Sequence, residues 1–145
     1  MVRPRVELVV RNAASRAREV LLTQTQYIVD TFHASGAEIK PCVQTPAPKG
    51  WGIDRRDMPA TPNKDDVAYF RSIYGKVLHI MRCTRPDAAF VVSELGRVSS
   101  SPSKAHIAML KRVCQYLYNT RSTLWRRRRA SGTQREEPHP GAGHA

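Results

Sequence analysis

Two adjoining stretches decide the fold. The first is Asp65-Asp66-Val67-Ala68-Tyr69-Phe70-Arg71-Ser72-Ile73-Tyr74-Gly75-Lys76-Val77-Leu78-His79-Ile80-Met81. The second is Thr84-Arg85-Pro86-Asp87-Ala88-Ala89-Phe90-Val91-Val92-Ser93. In the first, Val67, Phe70, Tyr74, Val77, Leu78 and Met81 recur at helical spacing, with Asp65 or Asp66 as the cap. Gly75 sits in mid-helix at a cost of about 1 kcal/mol relative to alanine, which predicts something packed close to the backbone there. In the second, Thr84 with Asp87 three residues on, and Pro86 in the first turn, opens another helix. Its face is Ala88, Val91, Val92, Leu95 and Val98. Ser99-Ser100-Ser101 breaks it. Ser101 then caps a further helix with Pro102 at its first position and a stripe of Ile107, Leu110, Val113, Cys114 and Leu117. Lys104 and Lys111, seven apart, share the opposite face.

Upstream, residues 40–64 hold five prolines and two glycines. That density defeats regular structure and predicts a linker running over the surface, with Trp51 tucked against the core or partly exposed. Before it, Thr23 and Gln26 are spaced as a capping box for a short helix, Gln24–Ser35, that stops at Gly36. Residues 5–10 and 19–22 read as the two strands of a hairpin across Asn12–Ser15. The expected class is therefore α+β: a mostly helical chain with an N-terminal β-hairpin, about four helices and a disordered basic C-terminal tail.

The chain has 145 residues, room for one domain. Twenty-four Lys and Arg oppose 12 Asp and Glu, a formal net charge of +12, with a pI near 10.4 and a mean hydropathy of −0.48. A pI this high is the electrostatic footprint of a nucleic-acid binder. Without the tail, residues 121–145, the body keeps 18 basic and 10 acidic residues. In the tail, Arg126-Arg127-Arg128-Arg129 is a block that must be solvated. It reads as a disordered or out-of-frame end, as a nuclear-localisation signal, or as a phosphate-binding arm. No apolar run reaches the ~18 residues of a spanning helix, and the N-terminus lacks the pattern of a signal peptide. Three widely spaced cysteines offer neither a disulfide scaffold nor a zinc knuckle. The expectation is an intracellular chain, cytoplasmic or nuclear, without a membrane partner.

Five segments carry a resemblance. Leu22-Thr23-Gln24-Thr25-Gln26-Tyr27-Ile28 resembles the L-S-Q-x-x-Y-I segment of Ty1/copia-type retrotransposon Pol polyproteins. Gln44-Thr45-Pro46 is similar to their x-T-P linker, Tyr69–Leu78 to Y-R-S-x-I-G-x-L-x-Y, and Thr84–Ser93 to T-R-P-D-I-A-F-A-V-S. Pro102, His106, Lys111-Arg112-Val113 and Tyr116–Thr120 resemble P-x-x-x-H-x-x-A-x-K-R-I-L-R-Y-L-K-G-T. The matches keep the family's order over roughly residues 18–120. The resemblance implies that residues 1–120 are the C-terminal, post-palm (thumb- or connection-like) portion of a reverse transcriptase. It implies a truncated chain that starts beyond the place of the catalytic Y-V-D-D turn and is without that turn and without ribonuclease H, with residues 121–145 an Arg-rich tail.

Chemistry is not expected from the chain as it stands. A polymerase holds two divalent cations about 4 Å apart on clustered carboxylates, and the parent would use Mg2+. The adjacent pair here, Asp65-Asp66, opens a helix rather than a strand hairpin and reads as a helix-dipole partner. Glu136 and Glu137 lie in the tail. His79 and Cys83, with Cys114 on another helix, lack a fourth metal ligand. His106 and Cys114 are separated by about 12 Å along one helix, too far to share a proton. Catalytic residues, metal ligands and cofactors are therefore expected to be absent. The candidate nucleic-acid contacts are Arg71, Lys76, Lys104, Lys111 and Arg112, with Arg126, Arg127, Arg128 and Arg129 in the tail, meeting phosphates without sequence readout. The expected partners are nucleic acid, bound weakly, and the missing parts of a Pol polyprotein. A small basic nucleic-acid-binding or protein-interaction module with no polymerase ancestry is the alternative.

Overall fold

A computed structural model describes residues 7–12, 18–123 and 125–127. The chain is mostly helical. Strands β1 (Glu7–Asn12) and β2 (Arg18–Thr23) pair antiparallel, with Glu7 opposite Thr23 and Asn12 opposite Arg18. Helix α1 (Thr25–Ser35) follows directly. After a long irregular segment come α2 (Lys64–Cys83), a 3-10 turn at Pro86–Ala88, α3 (Ala89–Gly96) and α4 (Lys104–Asn119). A short strand, β3 (Trp125–Arg127), pairs antiparallel with β2 to give the order β1-β2-β3.

Strand β3 departs from the expected disordered tail. Arg126 lies opposite Leu21 and Arg127 opposite Val20. Backbone hydrogen bonds make this pairing, so three residues in an Arg-rich run join a sheet edge with no apolar alternation to announce them. Residue 124 and residues 128–145 of the tail, with Arg128 and Arg129, like most of the expected Asn12–Ser15 turn, lie outside the described residues.

Helix α2 contacts α1, α3 and α4, and α4 contacts the other three helices. The core is built from Phe70, Ile73, Val77 and Ile80 of α2, Val91, Val92 and Leu95 of α3, and Leu110, Val113, Cys114 and Leu117 of α4. Ile28 and Phe32 of α1 close it. Phe32 stacks on Tyr118 with ring centroids 4.2 Å apart. The face of α2 is rotated slightly from the expected one. Ile73 and Ile80 are buried, while Val67, Tyr74, Leu78 and Met81 are half-buried.

Four caps and one glycine differ from expectation. Thr23 and Gln26 form no capping box: α1 has Gln24 at its N-cap without a side-chain cap, Thr23 Oγ1 accepts from the Thr25 N–H at 3.3 Å, and Gln26 donates to Asp30 at 2.9 Å. Asn63, not Asp65 or Asp66, caps α2, its side chain accepting from the Asp65 N–H at 3.0 Å. Ser103, not Ser101, caps α4 in a reciprocal box with His106: Ser103 Oγ accepts from the His106 N–H, and His106 Nδ1 accepts from the Ser103 N–H at 3.0 Å. Thr84 caps nothing downstream; its hydroxyl donates to Gln24 Oε1 at 2.9 Å, joining segments 60 residues apart. Around Gly75 nothing lies within 4 Å of an added Cβ. The close approach is at Gly96, where a Cβ would stand 2.5 Å from Tyr74 Oη.

The proline-rich segment is anchored rather than loosely draped. Val43 is buried, and Trp51, Ile53 and Met58 pack partly against the core. Gln115 donates to the Glu38 carbonyl at 2.8 Å, and Asn119 donates to the carbonyls of Lys40 at 2.7 Å and Val43 at 3.0 Å.

Candidate nucleic-acid interface

The apolar stripe of α4 fixes its outward face. Once Leu110, Val113, Cys114 and Leu117 turn inward, Lys104, Ala108, Lys111 and Arg112 flank the opposite side. Lys104 and Lys111 stand about 10 Å apart along the axis. Two concavities border this face, and Ala108 and Lys111 line both of them.

The first, about 420 Å³, lies between α4 and α2 and adds Asp66, Tyr69, Lys104 and Ile107. Lys104 Nζ is 2.8 Å from Asp66 Oδ2, and Lys111 Nζ lies 5.8 Å from the centroid of the Tyr69 ring. The Lys104 side chain is 82% exposed, so this ion pair is worth little, about 0–1 kcal/mol. The second concavity, about 480 Å³, lies between α4 and residues 36–43 and brings Lys40 towards Lys111 and Arg112.

The structure thus brings together Lys104, Lys111 and Arg112 and adds Lys40, which the sequence reading missed. It does not bring in Arg71, whose Nε donates to the Ser99 carbonyl at 3.1 Å and so ties down the turn after α3. Lys76 is half-buried on α2 and lines neither concavity. Arg126 and Arg127 belong to β3, and Arg128 and Arg129 lie outside the described residues.

The conspicuous polar cluster is elsewhere. The Arg85 side chain is 3% exposed and binds Asp87 through two donors, Nε to Oδ1 at 3.0 Å and Nη2 to Oδ2 at 2.7 Å. It also donates to the Thr120 carbonyl at 3.0 Å and hydroxyl at 2.7 Å, and its guanidinium lies 5.2 Å from the Tyr116 ring centroid. Tyr116 donates to the same carboxylate. Burial works against both charges. The mutual hydrogen bonds outweigh it, holding Asp87 below the usual carboxylate range and Arg85 above its ordinary value. Two of the quoted segments, Thr84–Ser93 and Tyr116–Thr120, meet here. Every partner is a protein group, so this cluster joins α4 to the entry of α3.

Divalent-metal chemistry finds no fitting donors among the described residues. Asp66 is engaged by Lys104, and no three His, Cys, Asp or Glu side chains come together. Cys83 Sγ lies 3.8 and 3.9 Å from the two His79 ring nitrogens, a packing distance rather than a shared ligand geometry. Burial pushes the Cys114 thiol up to about 12, which keeps it protonated. Burial also lowers the His106 imidazole, with Asp57 acting weakly in the other direction. The neutral ring suits its role as acceptor in the α4 cap. No helix among the described residues is long and apolar enough to cross a membrane.

No family model matches the chain, and no solved structure does. Curated proteins do. A transposon Ty5-1 protein of Saccharomyces cerevisiae is 36% identical over 74 residues, covering 51% of this chain and 23% of that protein. The retrovirus-related Pol polyprotein from transposon TNT 1-94 of Nicotiana tabacum is 31% identical over 110 residues, covering 72% of this chain and 8% of the polyprotein. The retrovirus-related Pol polyprotein from transposon RE1 of Arabidopsis thaliana is 29% identical over 100 residues, covering 68% and 6%. The chain spans less than a quarter of the length of each of these relatives. By these relationships the chain belongs to the Pol polyproteins of Ty/copia-type retrotransposons, of which it represents a small part.

Proposed function

We propose that the chain is a non-catalytic, transposon-derived piece of a Pol polyprotein whose helical body binds the phosphates of a template–primer duplex. In this reading residues 1–120 correspond to the post-palm, thumb- or connection-like part of a reverse transcriptase. The supporting observation is the grouping of Lys104, Lys111 and Arg112 on the outward side of α4, with Lys40 beside them across a concavity. Cations spread along about two helical turns suit a regularly charged backbone. None is held in the fixed bidentate geometry that base reading requires. Binding is sequence-independent, weak and electrostatic.

Polymerisation is not part of the proposal, because Asp65 and Asp66 open a helix and no third His, Cys, Asp or Glu among the described residues joins them. The purified chain should extend no primer. Extension that EDTA abolishes would overturn this half of the reading. For the other half, binding of a labelled duplex at about 50 mM salt should weaken in a Lys104→Gln/Lys111→Gln/Arg112→Gln variant that keeps its helical spectrum. Unchanged affinity in that variant would overturn it. A protein-interaction module is the second reading, favoured by the exposure of Phe90 at 64% and Ile39 at 63%. Binding indifferent to salt would favour it.

A further inference from the structure

We propose that the groove between α4 and residues 36–43 is a phosphate subsite, formed by Lys40, Lys111 and Arg112. The proposal rests on the phosphate-binding reading of α4 and adds to it a defined pocket and a residue from the proline-rich segment.

The groove is built, not incidental. Gln115 and Asn119, one turn apart on α4, hold the backbone of residues 38–43 through three hydrogen bonds of 2.7 to 3.0 Å. Val43, 4% exposed, anchors the same segment in the core. The result is a concavity of about 480 Å³ with fixed walls. That volume admits a phosphate with the sugar attached to it.

Its charge is positive on balance, three cationic side chains against one carboxylate. Lys111 and Arg112 are half-buried neighbours on α4, and neither makes an ion pair among the described residues. Among the described residues the Arg112 guanidinium reaches Thr45 Oγ1, at 3.5 Å, and its buried Nε finds no acceptor. The carboxylate lining the groove is Glu38, 83% exposed and 3.9 Å from Lys40, so it offsets little. A bound anion supplies the acceptor that the buried Arg112 Nε lacks among the described residues. A tetrahedral oxyanion there meets Arg112, which supplies directional donors, and Lys40, a point charge, while Lys111, whose Nζ stands over Tyr69, joins them by a change of rotamer. No aromatic ring among the described residues lines the groove, so these residues offer a base no stacking platform.

The phosphate comes either from a nucleic-acid backbone or from a free monoester. The test uses the full chain and inorganic phosphate. Thermal midpoints are compared in phosphate and in chloride at matched ionic strength, and duplex binding is measured on the same samples. At about ten times the dissociation constant, phosphate should raise the midpoint by about 4 °C beyond chloride. Lys40→Gln and Arg112→Gln should each lose most of that increment, while Arg82→Gln, on the exposed side of α2, keeps it. Equal midpoints in phosphate and chloride would overturn the proposal, as would an increment that survives in the Lys40→Gln/Arg112→Gln double variant. Salt-sensitive duplex binding without a phosphate increment would leave the α4 reading standing and remove the groove. A phosphate increment without duplex binding would do the reverse. If the subsite holds, competition of duplex binding by inorganic phosphate assigns it to the backbone. A phosphate increment without competition assigns it to a free monoester.

Discussion

Arg85 and Thr120 are joined by two hydrogen bonds, 3.0 Å to the Thr120 carbonyl and 2.7 Å to its hydroxyl, across 35 residues of chain. The same guanidinium grips Asp87, so one buried cation ties the start of the α3 segment to the end of α4. Its two partners differ in exposure. The Arg85 side chain is 3% exposed and that of Asp87 41%. Removing Asp87 leaves a buried cation with only neutral partners, whereas removing Arg85 leaves a carboxylate that water reaches. Asp87→Ala should therefore cost about 3 kcal/mol and Arg85→Met about 1–2 kcal/mol. Urea unfolding of both variants checks the order, and a larger loss for Arg85→Met would contradict it.

The pH dependence of stability has two steps with the same sign. His106 is lowered by burial below its ordinary 6.5, so its contribution is complete above that value and is lost as pH falls through the native one. Asp87 is lowered below 3.8 by Arg85 and Tyr116 against the effect of burial, so its contribution is lost only in stronger acid. His106→Gln keeps a side-chain acceptor at the third position of the α4 cap. It should abolish the step just below neutral and leave the acid step. Midpoints of urea unfolding across pH measure both steps, and an unaltered upper step in the variant would refute the assignment.

The thiols should separate into classes. Cys42 is exposed, Cys83 half-buried, and Cys114 buried with its thiol held protonated. With an aromatic disulfide reagent, Cys42 should react at once, Cys83 more slowly and Cys114 only on unfolding. Three equally fast thiols in the folded protein would contradict the α4 packing.

The two helical glycines should respond oppositely to alanine. Gly75 faces open space in mid-helix, so Gly75→Ala should stabilise by about 1 kcal/mol. Gly96→Ala places a Cβ against the Tyr74 hydroxyl and should be destabilising, the more so because Tyr74 also packs on Phe70. Adding Tyr74→Phe should recover part of that loss. Thermal melts of the single and double variants decide it, and a stabilised Gly96→Ala would argue against the contact.

Helices α2 and α4 were legible because their apolar residues repeat at 3.6 spacing, and the stop at Gly36 was legible because a left-handed residue at a helix end favours glycine. What the sequence hid was non-local. Thr84 has the spacing of a cap, yet its hydroxyl finds Gln24, 60 residues away. Ser101 precedes a proline, yet donates to the Pro59 carbonyl and leaves the cap to Ser103. Arg85 stands out in the sequence only as part of a motif, because nothing in its neighbours reveals a partner at Thr120. On the candidate interface, the spacing of Lys104 and Lys111 put both on one face. Lys40 escaped notice because its segment reads as a surface linker, and only Gln115 and Asn119 bring it to α4. Arg71 is a candidate by charge as well, and the structure places it off the two concavities, its Nε donating to the Ser99 carbonyl.

The central claim is that α4 meets nucleic-acid phosphates, and the salt slope of duplex binding tests it most directly. Each phosphate neutralised contributes about −0.9 to the slope of log affinity against log salt. The Lys104→Gln/Lys111→Gln/Arg112→Gln variant of the full chain should lose about two contacts' worth, roughly 1.8 units, because Lys104 is partly satisfied by Asp66. A slope identical to that of the unaltered chain would show that the binding charge lies elsewhere and would contradict the claim.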